Sequence, residues 1–202
     1  MRAVRPDGDV MRGDEWEVRP IPTHGEVERL VRAWHYSGSL PNTSTVRHGL
    51  YRAGVVLHGD AHGAALWLPP TRRSAEKVAG DDWHGVLSLS RLVVDPELPT
   101  NGASLLLGRS MRLIDRKRWP VLVTFADTNQ GHTGAIYRAT NWECDGEVPA
   151  GDVWVHTVTG RLAGRKRGGR NITVSAMRAM GYERRPAAPK VRFVHRAKGR
   201  AT

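Results

Sequence analysis

Residues 121–142 read VLVTFADTNQGHTGAIYRATNW. Val121, Leu122, Val123 and Phe125 form an apolar, β-forming run of strand length behind a turn-making Pro120. The run ends at Ala126. Asp127, Thr128, Asn129, Gln130, His132 and Thr133 then crowd into one loop. Polar groups at the mouth of a buried strand are where α/β proteins often place chemistry. A short helix from Gly134 to Arg138 is expected to follow, carrying Tyr137.

The flanking sequence sets this unit in a mixed α/β pattern. A strand is expected over residues 15–21. Thr23 then opens a helix as the first member of a capping box whose other member is Glu26. Val27, Leu30, Val31 and Trp34 recur at helical spacing, and His35-Tyr36 closes that helix. Residues 46–68 read as strands broken by glycine turns, and a short helix is expected around 74–78. Residues 86–95 read as a strand with Leu87, Leu89, Leu92 and Val94 apolar. The strongest helical pattern runs from Gly102 to Arg118. Its apolar side carries Leu107, Met111 and Ile114, and Arg109, Arg112 and Arg116 line the other side. Strands near 142–144, 153–158 and 190–195 and a helix over 173–180 complete the reading. Residues 1–13 read as a loose leader to a single domain over 14–202.

Composition narrows the partners. Against 20 acidic residues stand 31 basic ones, a formal net charge of +11. That balance favours an anionic partner such as nucleic acid. Cys144 is the only cysteine, so the chain holds no internal disulfide and no thiolate metal cluster. No apolar leader or membrane-length segment is visible, and the expectation is a cytosolic protein. The nine histidines include His58 and His62, four apart across a glycine turn. No pair has strong zinc spacing.

Four segments together carry a family likeness: HYSG at 35–38, LSRLVVD at 89–95, LPTNGASLLLG at 98–108 and FADTNQGHTGAIYRATNWECDG at 125–146. A weaker echo lies in PKVRFVH at 189–195. These segments resemble the phage Mom family of DNA-modification proteins. The resemblance implies a GNAT-like (Gcn-related N-acetyltransferase) fold, a mixed central sheet flanked by helices. It implies conversion of adenine in phage DNA to a carbamoylmethyl derivative that blocks host restriction, in the host bacterial cytoplasm. It points to His35, Tyr36, Asp127 and Tyr137 as catalytic positions, with Arg91 and Ser104 binding donor or substrate. Each also has a plainer reading: a polar helix end for His35 and Tyr36, a solvated strand face for Arg91, a helix cap for Ser104, an Asx turn for Asp127, core for Tyr137.

The donor stays open at this point. In GNAT enzymes the loop before the third helix reads Gln/Arg-x-x-Gly-x-Gly/Ala and its amides hold the coenzyme A pyrophosphate. Here Pro99 stands at the first position and Gly102, Ala103 and Ser104 close the loop. An acyl-CoA and an aminoacyl (glycyl) donor, the latter delivered by aminoacyl-tRNA, both suit the chain. A glycyl amide on the adenine amine has the same atoms as the carbamoylmethyl product. Attack of the glycyl nitrogen on the ring carbon, expelling the amide nitrogen, interconverts them. The family has been linked to iron, which would sit near His35 and Asp127. Arg161, Arg165, Lys166, Arg167 and Arg170, with the Arg109–Arg112–Arg116 stripe, are the expected phosphate contacts. The alternatives are a GNAT-type N-acyltransferase acting on a small amine or protein lysine, and an inactive DNA-binding relative.

Overall fold

The computed structural model describes residues 10–38, 40–41, 43–54, 61–167 and 170–197. After β1 (Trp16–Pro20), Thr23 caps α1 (His24–Trp34), its hydroxyl accepting from the Glu26 amide at 3.4 Å. Glu26 does not complete the capping box. Its carboxylate is buried and accepts from the Ala61 amide at 3.0 Å and the Tyr51 hydroxyl at 3.4 Å. A buried amide needs an acceptor, and that demand outweighs a cap water can replace. The apolar spacing holds along the rest of α1: Val27, Leu30 and Val31 are fully buried.

β2 (Val46–Arg52), β3 (Gly63–Leu68), α2 (Arg72–Ala79), β4 (Val86–Val94), α3 (Gly102–Leu113), β5 (Val121–Ala126), α4 (Ala135–Ala139) and β6 (Glu143–Val148) follow. Then come β7 (Val153–His156), β8 (Leu162–Ala163), β9 (Lys166–Arg167), β10 (Arg170–Asn171), α5 (Val174–Ala179), β11 (Tyr182–Arg185) and β12 (Lys190–Arg196). Seven strands make a mixed sheet in the order β1-β2-β3-β4-β5-β12-β6. β1 to β4 pair antiparallel, and β4 pairs parallel with β5.

By contact, the chain divides into two compact units. The first comprises 1–124, 134–144 and 193–202; the second comprises 125–133 and 145–192. In the first, one sheet face packs Leu66, Ala64 and Val93 against Val27, Leu30 and Val31 of α1. Complete burial of such aliphatic side chains is worth about 1.5–3 kcal/mol each. α3 packs against β1–β4 through the buried Leu106, Leu107, Ser110 and Met111. In the second unit, β7 lies between β11 and β8, and Trp154, Met177 and Tyr182 form a small core with Ala163 and Ile172 beside it.

A β-bulge decides what β4 presents. Leu66 pairs with Arg91, yet Trp67 pairs with Leu89, so Ser90 is an extra residue. The insertion resets the alternation. Leu87, Leu89, Leu92 and Val94 all share one face despite their mixed spacing, and Arg91 lies on the other, with Val93 and the α1 side.

α3 is shorter than the sequence predicts. It ends at Leu113, Ile114 is extended, and the Asp115 carboxylate accepts from the amides of Lys117 at 2.9 Å and Arg118 at 3.4 Å. That Asx turn stops the helix before Arg116. Among the described residues no helix is long and apolar enough to cross a membrane.

Candidate active site

The parallel register between β4 and β5 covers Val86–Ser88 and Val121–Val123 only. The next residue of β5, Thr124, is buried, and its hydroxyl hydrogen-bonds the Tyr137 phenol. α4 delivers Tyr137 through Gly134, whose φ is +77°. A Cβ there would collide with the Phe193 ring, so glycine is required by both conformation and space. The Tyr137 ring packs 5.1 Å from that of Phe193 and 5.9 Å from that of Trp142. Burial pushes the Tyr137 phenol up, as does the neighbouring Tyr36, while the Thr124 hydrogen bond pulls it down; the net direction is upward. A phenol so placed stays protonated and acts as a donor.

Tyr36 is the exposed member of the group, at 55%. Its ring stacks on His35 with centroids 4.5 Å apart, just past the end of α1. It lies near enough to Arg91 and Tyr137 to bear on the ionisation of both. The Ser37 amide donates to His35 Nδ1 at 3.2 Å, which favours the tautomer with its proton on Nε2. Arg91 donates to the Ser90 carbonyl at 2.7 Å and lies partly buried, and that burial lowers its pKa. The first unit thus brings His35, Tyr36, Arg91 and Tyr137 into one neighbourhood, from three elements distant in sequence. Thr124 belongs with them and has no motif of its own. Its only sequence signal is a hydroxyl inside an apolar strand.

Asp127 belongs to the second unit. Its side chain is 13% exposed, its Oδ2 lies 3.0 Å from Lys190 Nζ, and its Oδ1 accepts from the Asn129 amide at 3.2 Å. Burial pushes the carboxyl up, but the hydrogen bonds from Lys190 and Asn129 more than offset it, and the pKa falls. Lys190, 63 positions away, was not legible as its partner.

A groove of about 650 Å³ in the first unit runs along α3 and residues 139–141, with His195 and Ala197 on its wall. Ser104, Arg112 and Arg116 line it. The Ser104 hydroxyl donates to the Asn101 carbonyl at 2.9 Å, as a helix-start residue does. The Gly102 amide donates to the Pro99 carbonyl at 2.9 Å, and the Met11 sulfur lies 3.0 Å from where a Gly102 Cβ would stand. The Asn101 side chain is held by the Met11 backbone at 2.9 and 3.2 Å. The loop expected at Gly102 and Ala103 is therefore packed under residue 11 and departs from an open pyrophosphate cradle.

The arginine stripe is divided. Arg109 donates to the carbonyls of Gly13 and Trp16, and Arg116 to those of Pro120 at 2.9 Å and His195 at 3.1 Å. These two hold backbone together; Arg112 is exposed in the groove. In the second unit Arg161, Arg165 and Arg170 are exposed, and β9 pairs antiparallel with β10. Lys166 and Arg167 contribute the β9 backbone; their side chains, like His58, lie outside the described residues.

Two tryptophans, Trp142 and Trp34, are accounted for by packing. Trp142 is buried, donates to Met111 Sδ at 3.2 Å and stacks on Trp67; Trp34 is partly buried against the α1 core. For iron the donor set does not fit. No group of three or more His, Cys, Asp or Glu among the described residues is placed to hold a metal ion.

The mixed seven-stranded sheet flanked by helices is the GNAT acetyltransferase fold. A Salmonella typhimurium protein described as an acetyltransferase, solved with its cofactor acetyl-CoA, superposes with a TM-score of 0.53 at 10% identity, covering 93% of this chain and 97% of that one. A variant of agmatine N-acetyltransferase in its apo form gives 0.51 at 12% identity, covering 91% and 100%. Within that fold, the chain belongs to the Mom protein family, whose family model matches residues 15–176. It is 27% identical over 154 residues to the methylcarbamoylase Mom of Escherichia phage Mu. That match covers 69% of this chain and 59% of the relative's length.

Proposed function

We propose that this chain is a DNA-modifying transferase that converts the exocyclic amine of adenine in phage DNA to a carbamoylmethyl derivative in the host cytoplasm. The observation that carries this reading is the grouping of Tyr36, Arg91 and Tyr137 just beyond the paired part of β4 and β5, in a member of the Mom family.

The adenine amine is a weak nucleophile, because its lone pair is delocalised into the ring. In duplex DNA it is also paired, so the base must leave the stack. Tyr36 offers an exposed aromatic face for contact with the DNA. The protonated Tyr137 phenol donates to the oxyanion that develops as the acyl carbonyl is attacked. Arg91 balances negative charge on donor or substrate phosphate. The ionised Asp127 is an acceptor suited to orienting an amine and taking its proton. The α3 groove suits a long anionic donor, with the exposed Arg112 available to phosphate and Ser104 at the helix start. Such a donor, an acyl-CoA or a glycyl ester, supplies an activated carbonyl. Arg161, Arg165 and Arg170 hold the DNA by its phosphates.

Nucleoside mass spectrometry of DNA from cells expressing the chain tests the reading. A new adenine derivative, lost in Asp127→Ala, supports it. Unmodified DNA with an acylated small amine or lysine replaces it with an N-acyltransferase, and no product with DNA binding retained replaces it with an inactive relative. Nitrogen-labelled glycine tests the rearrangement. The label is expected on the ring-attached nitrogen, and label in the terminal carboxamide excludes the step.

A further inference from the structure

The second unit holds a cavity of about 440 Å³. Phe125, Pro149, Val153 and Leu162 supply apolar wall, and Asp127 with Lys190 supplies a polar edge. The volume falls within the range of small-molecule sites, about 300–1,000 Å³. The wall is fixed in advance. The Asn129 side-chain amide pairs with the Ala188 backbone in both directions, at 3.0 and 3.3 Å, and the Thr128 hydroxyl donates to the Pro189 carbonyl at 2.6 Å. Asp152, also on the lining, is already paired with Arg184.

What enters meets apolar surface from Phe125, Pro149, Val153 and Leu162 and, at one edge, a carboxylate oxygen beside an ammonium 3.0 Å away. An anion would be repelled by the carboxylate, and a cation by the ammonium. A neutral planar heterocycle with an amine donor next to a ring-nitrogen acceptor satisfies both groups. Its N–H bonds Asp127 and its ring nitrogen accepts from Lys190. Adenine carries that pair on its Watson–Crick edge, in N6 and N1, and cytosine carries it in N4 and N3; the larger ring system of adenine covers more apolar wall, and the DNA-modifying reading selects it. From this geometry we infer that the cavity is the pocket for the extruded adenine, and that Lys190 is a base-recognition residue. The inference rests on the DNA-modifying reading above and adds a location for the acceptor base.

The test is saturation-transfer NMR on the full chain with deoxyadenosine, deoxyguanosine and thymidine, and with deoxycytidine, which shares the donor–acceptor pair on a single ring and is expected to bind more weakly than deoxyadenosine; binding of deoxycytidine as strong as that of deoxyadenosine overturns the adenine assignment. It is repeated for Leu162→Trp, Ala150→Trp and Lys190→Met, with near-ultraviolet circular dichroism to confirm folding. Deoxyadenosine is expected to bind, with thymidine and deoxyguanosine weaker by roughly tenfold, the size of one lost edge contact. Either tryptophan variant, filling the cavity from a different wall, is expected to abolish the signal, and Lys190→Met to weaken it. Equal signals for deoxyadenosine, deoxyguanosine and thymidine, no signal for any, or wild-type binding in both folded tryptophan variants would overturn the pocket. Nucleoside mass spectrometry separates the two readings. Adenine modified equally by wild type and both tryptophan variants removes the pocket and leaves the reaction. Selective deoxyadenosine binding with no modified DNA removes the reaction and leaves the pocket.

Discussion

Tyr137 shows how packing selects a chemical role. Its phenol is kept neutral by burial and aimed by the Thr124 hydroxyl, so removing it takes away one preorganised donor. Tyr137→Phe is expected to lower DNA modification by about 10²–10³-fold. Thermal stability should shift little, since a single such hydrogen bond contributes roughly 1 kcal/mol net. Quantitative nucleoside analysis beside a melting curve checks both. Asp127 responds to pH in a defined direction. Its carboxyl is depressed in the folded chain, so the charged form persists until pH falls through that lowered value. In Lys190→Met the pKa rises, and the acid limb of the activity profile should move to higher pH. An unmoved limb removes Lys190 as the cause. His48 is a second titrating site. It is buried, and its Nδ1 lies 2.8 Å from the Ser110 hydroxyl, which also accepts from the Trp67 indole at 2.8 Å. Burial lowers the His48 pKa from 6.5 to about 4. The unfolded chain takes up this proton from pH 6.5 downward and the folded chain does not. Stability is therefore full above pH 6.5 and falls by about 3 kcal/mol by pH 4. Urea unfolding across that window should show the loss in wild type and a flatter profile in His48→Gln.

At the scale of elements, two irregularities set the site. The extra residue Ser90 places Arg91 on the α1 side, where Tyr36 stands. Gly134 lets α4 begin against Phe193. Gly134→Ala combines a strained φ with overpacking and is expected to destabilise by about 1–3 kcal/mol. Partial recovery of the melting temperature in Gly134→Ala/Phe193→Leu would tie the loss to that ring, and no recovery would not. The legibility of the sequence divides along the same line. Regular periodicity announced α1, β4 and the strand before Asp127, and the family motifs contain Arg91 and Tyr137, which lie near Tyr36, together with Asp127 in the second unit and Ser104 on the α3 groove. Strict alternation could not show a bulge, because the pairing partner that reveals Ser90 as extra lies in β3. Helical periodicity ran α3 on to Arg118, because Ile114 and Arg116 fit the pattern and the Asp115 turn is a local competitor. Lys190 and the Pro149–Leu162 wall depend on chain segments meeting far from their neighbours in sequence.

For the whole molecule, the charge of +11 gains a role only through where it is displayed. Arg109 and Arg116 are spent on carbonyls, and Arg161, Arg165 and Arg170 face solvent in the second unit. Arg161→Ala/Arg165→Ala/Arg170→Ala is expected to weaken DNA binding uniformly across sequences and to flatten its salt dependence by about one unit of slope per lost phosphate contact. Binding isotherms at several salt concentrations read both quantities. The central claim is that Tyr36, Arg91 and Tyr137 act together on adenine in DNA. The most direct measurement is nucleoside mass spectrometry of DNA from cells expressing wild type, Arg91→Ala or Tyr137→Phe at equal levels. The account predicts a new adenine nucleoside in wild type that nearly disappears in both variants. A modification that survives both substitutions, or DNA left unmodified by the wild-type chain, contradicts it.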